Sequence, residues 1–354
     1  KKSLVNFVND DDVFQALRDA ARRDDAAKAG ELAARLPNYA IPSYVDYYRL
    51  KPRLRNAAEA EVRDFLKRYE GSAIADRMRN DWLLEVGRKR DWTTFDEQYP
   101  LFVVDDDMQL KCYALMSKTA KGQNVAADAR TLLTSPKDYG EGCHALIATL
   151  AQHGQFNFND VWGQIRLAAE NGSTPAARRL SALTDADEKK IEQAIEKPGL
   201  VLTNGVGKGR EAHELFVIAL GRVAKNNHEQ AAQALRGAAP KLSAEEQALG
   251  WSQIALQASF KLAPEAFPDY WDKAGAAPLS NDGRQWRVRM ALRAGDWKQV
   301  KAGIEAMPAS LRNNPAWVYW MGRALQAEGR KAEALVLFQS IADQIHFYGQ
   351  LALE

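Results

Sequence analysis

The sequence predicts an all-α fold, an α-superhelix or solenoid built from tetratricopeptide-like helical hairpins. Four evenly spaced positions, Asn227, Lys261, Gly295 and Gly329, each lie at a break between two stretches rich in Ala, Leu and aromatic residues. Their period, about 34 residues, is typical of tetratricopeptide-like hairpins, which bury their apolar faces only against neighbouring hairpins. No long stretch alternates at period two with β-branched residues, so no sheet is predicted.

The last repeat shows the hairpin pattern most clearly. Trp317 and Phe338 supply large apolar side chains, whereas Gly322 and Ala334 are small enough to let two helices approach. Gly329 lies between these helices and permits the turn that joins them. The combination predicts a tightly packed helical pair.

The amino-terminal half repeats less regularly. Arg90, Gly122 and Gly154 follow one another at equal intervals, slightly shorter than the carboxy-terminal period, and mark predicted turns between helices. Residues 23–25 predict a further turn near the amino terminus. The sequence therefore indicates related helical units at both ends of the chain.

Two segments interrupt the predicted array. Residues 135–142 are short and turn-rich, and residues 198–209 contain four glycines after a short polar helix that is predicted to start at Asp185. The longer segment is either a bend in one superhelix or a boundary between two halves. The helical pattern resumes at Glu211, which favours the bend.

Composition limits the class of function. The 48 basic and 46 acidic side chains give a net charge of +2, too balanced for a dedicated nucleic-acid-binding protein. Apolar residues make up 46% of the chain and charged ones 27%, which is typical of an ordered soluble protein. No apolar run reaches the roughly 18 residues that a membrane span needs, so none is expected. The amino terminus has no signal-peptide pattern, as in a mature secreted protein.

Charge is unevenly distributed along the chain. Residues 49–90 contain 12 Lys and Arg against 7 Asp and Glu. Such an excess is commonly a set of solvated helix faces. The alternative is a basic surface that faces an anionic polymer, formed by Arg53, Arg55 and Arg63.

Cys112 and Cys143 are the only cysteines, and their separation in sequence is close to one repeat. Equivalent helices of adjacent hairpins would bring them near each other, so a disulfide is possible on spacing alone. Two unrelated buried thiols are the other interpretation. A disulfide would indicate an oxidising compartment.

The sequence predicts no metal site, no cofactor and no catalytic residue. His213-Glu214 begins like a zinc-protease helix, but Val217 occupies the position of the second histidine ligand. Residues 205–210 lack the Ser or Thr of a phosphate-binding P-loop, and are predicted to be a flexible loop. No glutamate lies in a loop rich in glycine and aromatic residues, where a catalytic carboxyl would be expected.

Several segments together resemble a known family. They are residues 314–325 with Gly329 and Phe338, the run 346–352, the early run 44–50, residues 65–66 and residues 81–83. This set is similar to the superhelical domain of the large soluble lytic murein transglycosylases. Cys112 and Cys143 also match, in position and surroundings, a disulfide-bonded pair of that domain.

The resemblance implies a periplasmic enzyme of peptidoglycan. Members of the family cleave the β-1,4 bond between N-acetylmuramic acid and N-acetylglucosamine and form a 1,6-anhydro sugar, with one Glu acting as acid and then as base. Their solenoid closes into a ring or horseshoe that carries a lysozyme-like catalytic domain. The same curvature is therefore expected of this chain, and the Cys112–Cys143 disulfide is implied.

The chain departs from the family at the catalytic signature. A Glu-Ser pair followed by a Gly-Leu-Met-Gln run occurs nowhere in residues 1–354. We therefore expect residues 1–345 to be the superhelical scaffold, residues 346–354 to begin a linker, and a catalytic domain to follow residue 354. The chain is either a fragment of a longer enzyme, which its abrupt end favours, or a scaffold homologue without the catalytic half.

The expected partners are peptidoglycan glycan strands, the chain's own carboxy-terminal catalytic domain and other cell-wall enzymes. No nucleic acid is expected among them. The expected role is to position the catalytic domain and to guide glycan strands or peptides. The alternative is a tetratricopeptide-like adaptor that binds a protein and has no enzymatic activity.

Overall fold

The prediction of an all-α fold is confirmed by the structure. The computed structural model describes residues 9–344 and 347–354. Within these residues it contains 23 α-helices, five short 3₁₀ helices and no strand. Within each of the chain's two compact units, helices close in sequence pack together, as Asp10–Arg22 does with Ala26–Ala34 and Pro315–Ala327 with Lys331–Ile341, which is typical of an α-superhelix. The ring or horseshoe curvature stays a prediction.

The helices form two compact units. Unit 1 comprises the described residues up to Leu132, together with Asp138–Gln155. Its α-helices are α1 Asp10–Arg22, α2 Ala26–Ala34, α3 Pro42–Leu50, α4 Glu59–Arg68, α5 Ala73–Arg88, α6 Trp92–Gln98, α7 Met108–Ala120, α8 Ala126–Leu132 and α9 Gly140–Gln152.

Unit 2 comprises Leu133–Lys137 and the described residues from Phe156 onwards. Its α-helices are α10 Phe158–Glu170, α11 Thr174–Ser181, α12 Glu188–Glu196, α13 Pro198–Asn204, α14 Arg210–Ala224, α15 His228–Ala238, α16 Ala244–Phe260, α17 Asp269–Ala274, α18 Asn281–Arg293, α19 Trp297–Glu305, α20 Ala309–Arg312, α21 Pro315–Ala327, α22 Lys331–Ile341 and α23 Phe347–Leu353. The 3₁₀ helices of the chain are Lys51–Asn56, Tyr99–Leu101, Pro136–Asp138, Ala239–Lys241 and Pro264–Ala266.

Polar side chains fix where many helices begin. Asn157 and Asp160 form a reciprocal capping box at α10, and Ser243 and Glu246 do the same at α16. These pairs satisfy backbone N–H groups that have no partner within the helix. Helix boundaries in this chain are thus set locally, by short polar segments between apolar ones.

The predicted turn positions lie between helices. Arg90 and Gly122 in unit 1 have φ of 60° and 83°, and Gly295 and Gly329 in unit 2 have φ of 68° and 81°. Such values are left-handed, a conformation that ends helices and that favours glycine. The same conformation at Arg90 explains how a non-glycine residue occupies a glycine-like position in the repeat.

The segment 198–209 differs from its prediction. Its first part is the helix α13, which packs against α14 within unit 2. Only residues 205–209 form a loop, in which Gly205 and Gly209 have φ of 78° and 90°. The polar helix before it begins at Glu188, because Asp187 rather than Asp185 caps it.

Close helix packing around glycine is clearest at the α21–α22 pair. A Cβ placed on Gly322 would lie 2.4 Å from Cε1 of Phe338. The glycine therefore creates the space that the phenylalanine ring fills, as the sequence pattern predicts. Helix α23 packs in turn against α21 and α22.

Candidate functional site

The described residues contain no cluster of three or more side chains able to hold a metal ion. His213 and Glu214, the pair that resembles a zinc motif, contact different partners. His213 Nδ1 lies 3.0 Å from Oε1 of Glu246, and Glu214 forms a buried ion pair of 2.6 Å with Arg166. Both side chains therefore have structural roles.

The two cysteines form a disulfide that joins α7 to α9. Their Cα atoms are 5.1 Å apart, and both residues are fully buried. Because their sequence separation is 31, the bond closes a loop of about one repeat. It holds the neighbouring helices of unit 1 together covalently.

The three arginines predicted to face a polymer all have acidic partners. Arg53 Nη1 lies 2.7 Å from Oε2 of Glu61, and Arg63 Nη1 lies 2.8 Å from Oε1 of Glu97. The hydrogen bond from Arg53 lowers the pKa of Glu61, and that from Arg63 lowers the pKa of Glu97. These pairs reduce the positive charge that the surface presents to solvent.

Arg55 makes the longest of these contacts, 3.8 Å from its Nε to Oε2 of Glu85, and its side chain is 66% exposed. Exposed ion pairs of this kind are weak and exchange readily with water or with another anion. Arg55 is thus the member of the predicted set that can most easily turn to a different partner.

A groove of about 390 Å³ lies beside α5, in a part of unit 1 that the sequence did not single out. The loop at residues 102–106 forms one wall. Asp76 fixes this loop, because its carboxylate accepts the backbone N–H of Val103 at 2.8 Å and that of Val104 at 3.0 Å. Arg77 and Arg79 also line the groove.

The same loop presents apolar side chains to solvent. Val103 is 84% exposed although its backbone is anchored. Arg79 adds a second anchor by donating from Nη1 to the carbonyl of Leu101 at 3.2 Å. An ordered loop with exposed apolar residues beside a groove is characteristic of a contact surface.

A second apolar surface lies on the last two helices of unit 2. Leu335 and Val336 on α22, and Phe347 and Leu353 on α23, are all more than half exposed. The inner face of α22 packs on α21 through Phe338, so the outer face is unused within unit 2. We call these four residues the carboxy-terminal apolar face.

Among the helices that the structure describes, none combines the length and the hydropathy of a transmembrane span. The run 346–352, one of the segments that resemble the family, starts at His346, which lies outside the described residues. The remainder of the run forms α23.

Comparisons with known proteins identify relatives over most of the chain. No protein-family model matches it. It is 24% identical over 332 residues to the soluble lytic murein transglycosylase of Escherichia coli K12, covering 90% of this chain and 51% of the relative. The Salmonella typhimurium LT2 protein of the same name is 23% identical over the same share of both chains. The chain thus spans about half the length of the curated relatives that it matches.

Among solved structures, an inactive mutant of the lytic transglycosylase Slt of Pseudomonas aeruginosa aligns with a TM-score of 0.51 at 23% identity. The alignment covers 96% of this chain and 56% of that one. This likeness supports the α-superhelical fold.

Proposed function

Because the chain is homologous to the soluble lytic murein transglycosylases along 90% of its length, we propose that it is the non-catalytic superhelical part of such an enzyme. The whole enzyme cleaves the β-1,4 bond between N-acetylmuramic acid and N-acetylglucosamine in periplasmic peptidoglycan and forms a 1,6-anhydro product. Residues 1–345 are the scaffold, residues 346–354 begin a linker, and a lysozyme-like catalytic domain follows. The sequence similarity carries this proposal.

The scaffold guides the polymer through contacts in unit 1. The groove beside α5 combines exposed apolar side chains with Arg77 and Arg79, and its lining also includes the acidic residues Glu70, Asp76 and Asp106. The cations of Arg53, Arg55 and Arg63 lie in the same unit. Peptidoglycan carries peptides with methyl groups and carboxylates, which match these two kinds of contact. The exchangeable ion pair of Arg55 supports this assignment.

Binding to purified peptidoglycan sacculi tests the proposal. The 354-residue protein should co-sediment with sacculi at low salt, and less so at high salt because exposed charges are screened. Reversing the charge of Arg53, Arg55 and Arg63 should lower the bound fraction several-fold. Reversing Lys301 and Arg330, which form comparable surface ion pairs in unit 2, serves as the control. Equal binding by both variants would remove the role of the basic surface.

The carboxy-terminal apolar face is the proposed docking site of the catalytic domain. Exposed apolar surfaces of this kind commonly mark protein contacts. Val336→Lys and Phe347→Lys should each weaken binding of a purified lysozyme-like catalytic domain from a relative by about tenfold, as expected for central interface residues. Leu200→Lys, at a similarly exposed apolar residue on α13, should leave binding unchanged.

The buried disulfide supports a periplasmic location, since disulfides persist in oxidising compartments. An antibody raised against residues 1–354 should detect the native protein in the periplasmic fraction, at a mass well above 39.4 kDa. Other cell-wall enzymes are proposed partners of the same scaffold. A cytosolic protein of 39.4 kDa would instead favour the adaptor function.

A further inference from the structure

A polar cleft of about 360 Å³ lies within unit 2. Three segments form it: residues 134–137, the end of α10 and the start of α18. Its lining is mainly hydroxyl and amide groups, from Thr134, Ser135, Asn171, Ser280 and Asn281. The volume falls within the range of roughly 300–1,000 Å³ typical of small-molecule sites.

The start of α18 is rigidly defined at the cleft. Ser280 caps this helix of 13 residues, and its Oγ accepts the backbone N–H of Gly283 at 3.0 Å. Asn281 is the first residue of the helix and Asn171 is the residue that ends α10. The polar groups of the cleft are thus held at helix ends, where their positions are fixed by the backbone.

Glu170 is the unusual member of the cleft. Its Oε1 accepts a hydrogen bond of 3.2 Å from Nε2 of Gln253. Its Oε2 is buried and has no hydrogen-bond partner among the described residues. A buried carboxyl oxygen without a partner costs free energy, so its retention points to a partner that binds from outside the chain.

The surroundings of Glu170 favour its uncharged form. Burial raises its pKa, Asp282 raises it further, and the side chains of Ser280 and Gln253 act in the opposite direction. Lys137 is the cationic group of the cleft lining, and it is balanced there by Asp282.

Two arginines lie nearby, around a cavity of about 10 Å³ that Glu170 also lines. Both have other partners: Arg166 pairs with Glu214 at 2.6 Å, and Arg222 donates from Nε to the carbonyl of Ile195 at 3.2 Å. Neither therefore neutralises Glu170 by an ion pair.

We propose that this cleft binds an N-acetylated amino-sugar unit of a glycan strand, with the carboxyl group of Glu170 hydrogen-bonded to a polar group of the ligand. Sugar hydroxyl and acetamido groups are uncharged donors and acceptors, and the hydroxyl and amide lining complements them. The opposite charges of Lys137 and Asp282 make the cleft suited to a neutral ligand. This inference rests on the proposed function, since it assigns a glycan contact to unit 2.

Titration of the 354-residue protein with the β-1,4-linked trimer of N-acetylglucosamine, followed by calorimetry, tests the site. Glu170→Gln retains an uncharged donor and should bind within about twofold of the wild type. Glu170→Leu and Asn281→Ala should each weaken binding roughly tenfold, the usual effect of losing one buried hydrogen bond. Asn313→Ala, at an exposed residue outside the cleft, is the control.

The dependence on pH separates a ligand contact from a structural role. Binding by the wild type should weaken as the pH rises through the raised pKa of Glu170, and Glu170→Gln should abolish this dependence. Loss of binding in Glu170→Gln, or unchanged binding in Glu170→Leu, would overturn the inference. If sacculi bind but the trimer does not, this inference alone fails; if neither binds, the proposed function fails with it.

Discussion

Unit 1 and unit 2 fill the seams between their helices with different aromatic residues. Eight of the 11 tyrosines lie in unit 1, and seven of the nine tryptophans lie in unit 2. In unit 1 the tyrosine hydroxyls bind carboxylates, as Tyr47 binds Asp81 and Tyr113 binds Glu141. The packing of unit 1 therefore depends on the ionisation of its acidic residues.

In unit 2, Trp271 contacts a neutral hydroxyl group and an arginine. Trp271 is fully buried, donates from Nε1 to Oγ of Ser259 at 2.9 Å, and has the Arg287 guanidinium 5.5 Å from its ring centre. Two groups of similar helices are thus stabilised in different ways. Unit 1 adds a disulfide and hydrogen bonds between tyrosine and carboxylate groups to its packing, whereas unit 2 fills its seams mainly with tryptophan.

Removing a buried tryptophan ring from unit 2 should therefore cause the largest loss of free energy of unfolding. Trp271→Ala is expected to lower the free energy of unfolding by about 3–5 kcal/mol, since it leaves a cavity and removes the partner of Ser259. Urea unfolding followed by tryptophan fluorescence measures this loss. Trp297→Ala, at a partly buried ring, should cost clearly less. Equal costs would mean that burial does not set the stability of unit 2.

Removing the disulfide should act on unit 1. Cys112→Ala combined with Cys143→Ala is expected to cost roughly 3–4 kcal/mol, because the bond closes a loop of about one repeat in the unfolded chain. Tyrosine-sensitive circular dichroism should report the loss, while tryptophan fluorescence, dominated by unit 2, should change little. A reducing agent should destabilise the wild type and leave the double variant unaffected. A loss of the same size in both signals would show that the disulfide stabilises both units and not unit 1 alone.

The fold was predictable because its signals are local and repeated. The regular repeat spacing locates Gly295 and Gly329 at turns, and both adopt the left-handed conformation that a turn requires. The helix α13 was missed because Pro198 and the glycines around it indicate a loop. A proline is tolerated at the first position of a helix, and that is where Pro198 lies.

The candidate sites were less predictable because they depend on residues that are distant in sequence. The spacing of Cys112 and Cys143 left a disulfide and free thiols equally open, and the structure joins them. The charge count around Arg53 and Arg63 could not reveal that Glu61 and Glu97 pair with them. The cleft at Glu170 could not be found from sequence, since it needs the start of α18, which is distant along the chain.

Two glycines of one hairpin separate steric from conformational effects. Gly322→Ala should cost about 1–3 kcal/mol, because its Cβ would overlap the Phe338 ring. Gly329→Ala should cost about 1 kcal/mol, since its surroundings are open and only the left-handed backbone opposes a side chain. Thermal unfolding of both variants measures the difference. Combining Gly322→Ala with Phe338→Leu should recover part of the first loss, whereas Phe338→Leu should not help Gly329→Ala.

The smallest expected effect on stability comes from the ionisation of single carboxyl groups. The pH dependence that Glu141 gives unit 1 should have the opposite sign to that from Glu170 in unit 2. In unit 1, burial opposes the ionisation of Glu141, but its hydrogen bonds with Arg90 and Tyr113 hold its pKa below the ordinary value of 4.5. Its contribution to stability is present above that value and is lost as the pH falls through the lowered pKa. Glu141→Gln should cost at most about 1 kcal/mol at neutral pH, since the ion pair is partly exposed.

Glu170 in unit 2 should behave in the opposite way. Burial raises its pKa, so its contribution is present below 4.5 and is lost as the pH rises through the raised pKa. Urea midpoints of the wild type, Glu141→Gln and Glu170→Gln, measured between about pH 3.5 and 7, test both signs. Glu141→Gln should reduce the loss of stability in acid, and Glu170→Gln should reduce the loss towards neutral pH. If both substitutions change the pH dependence in the same direction, the two units do not differ in the sign of their dependence on carboxyl ionisation.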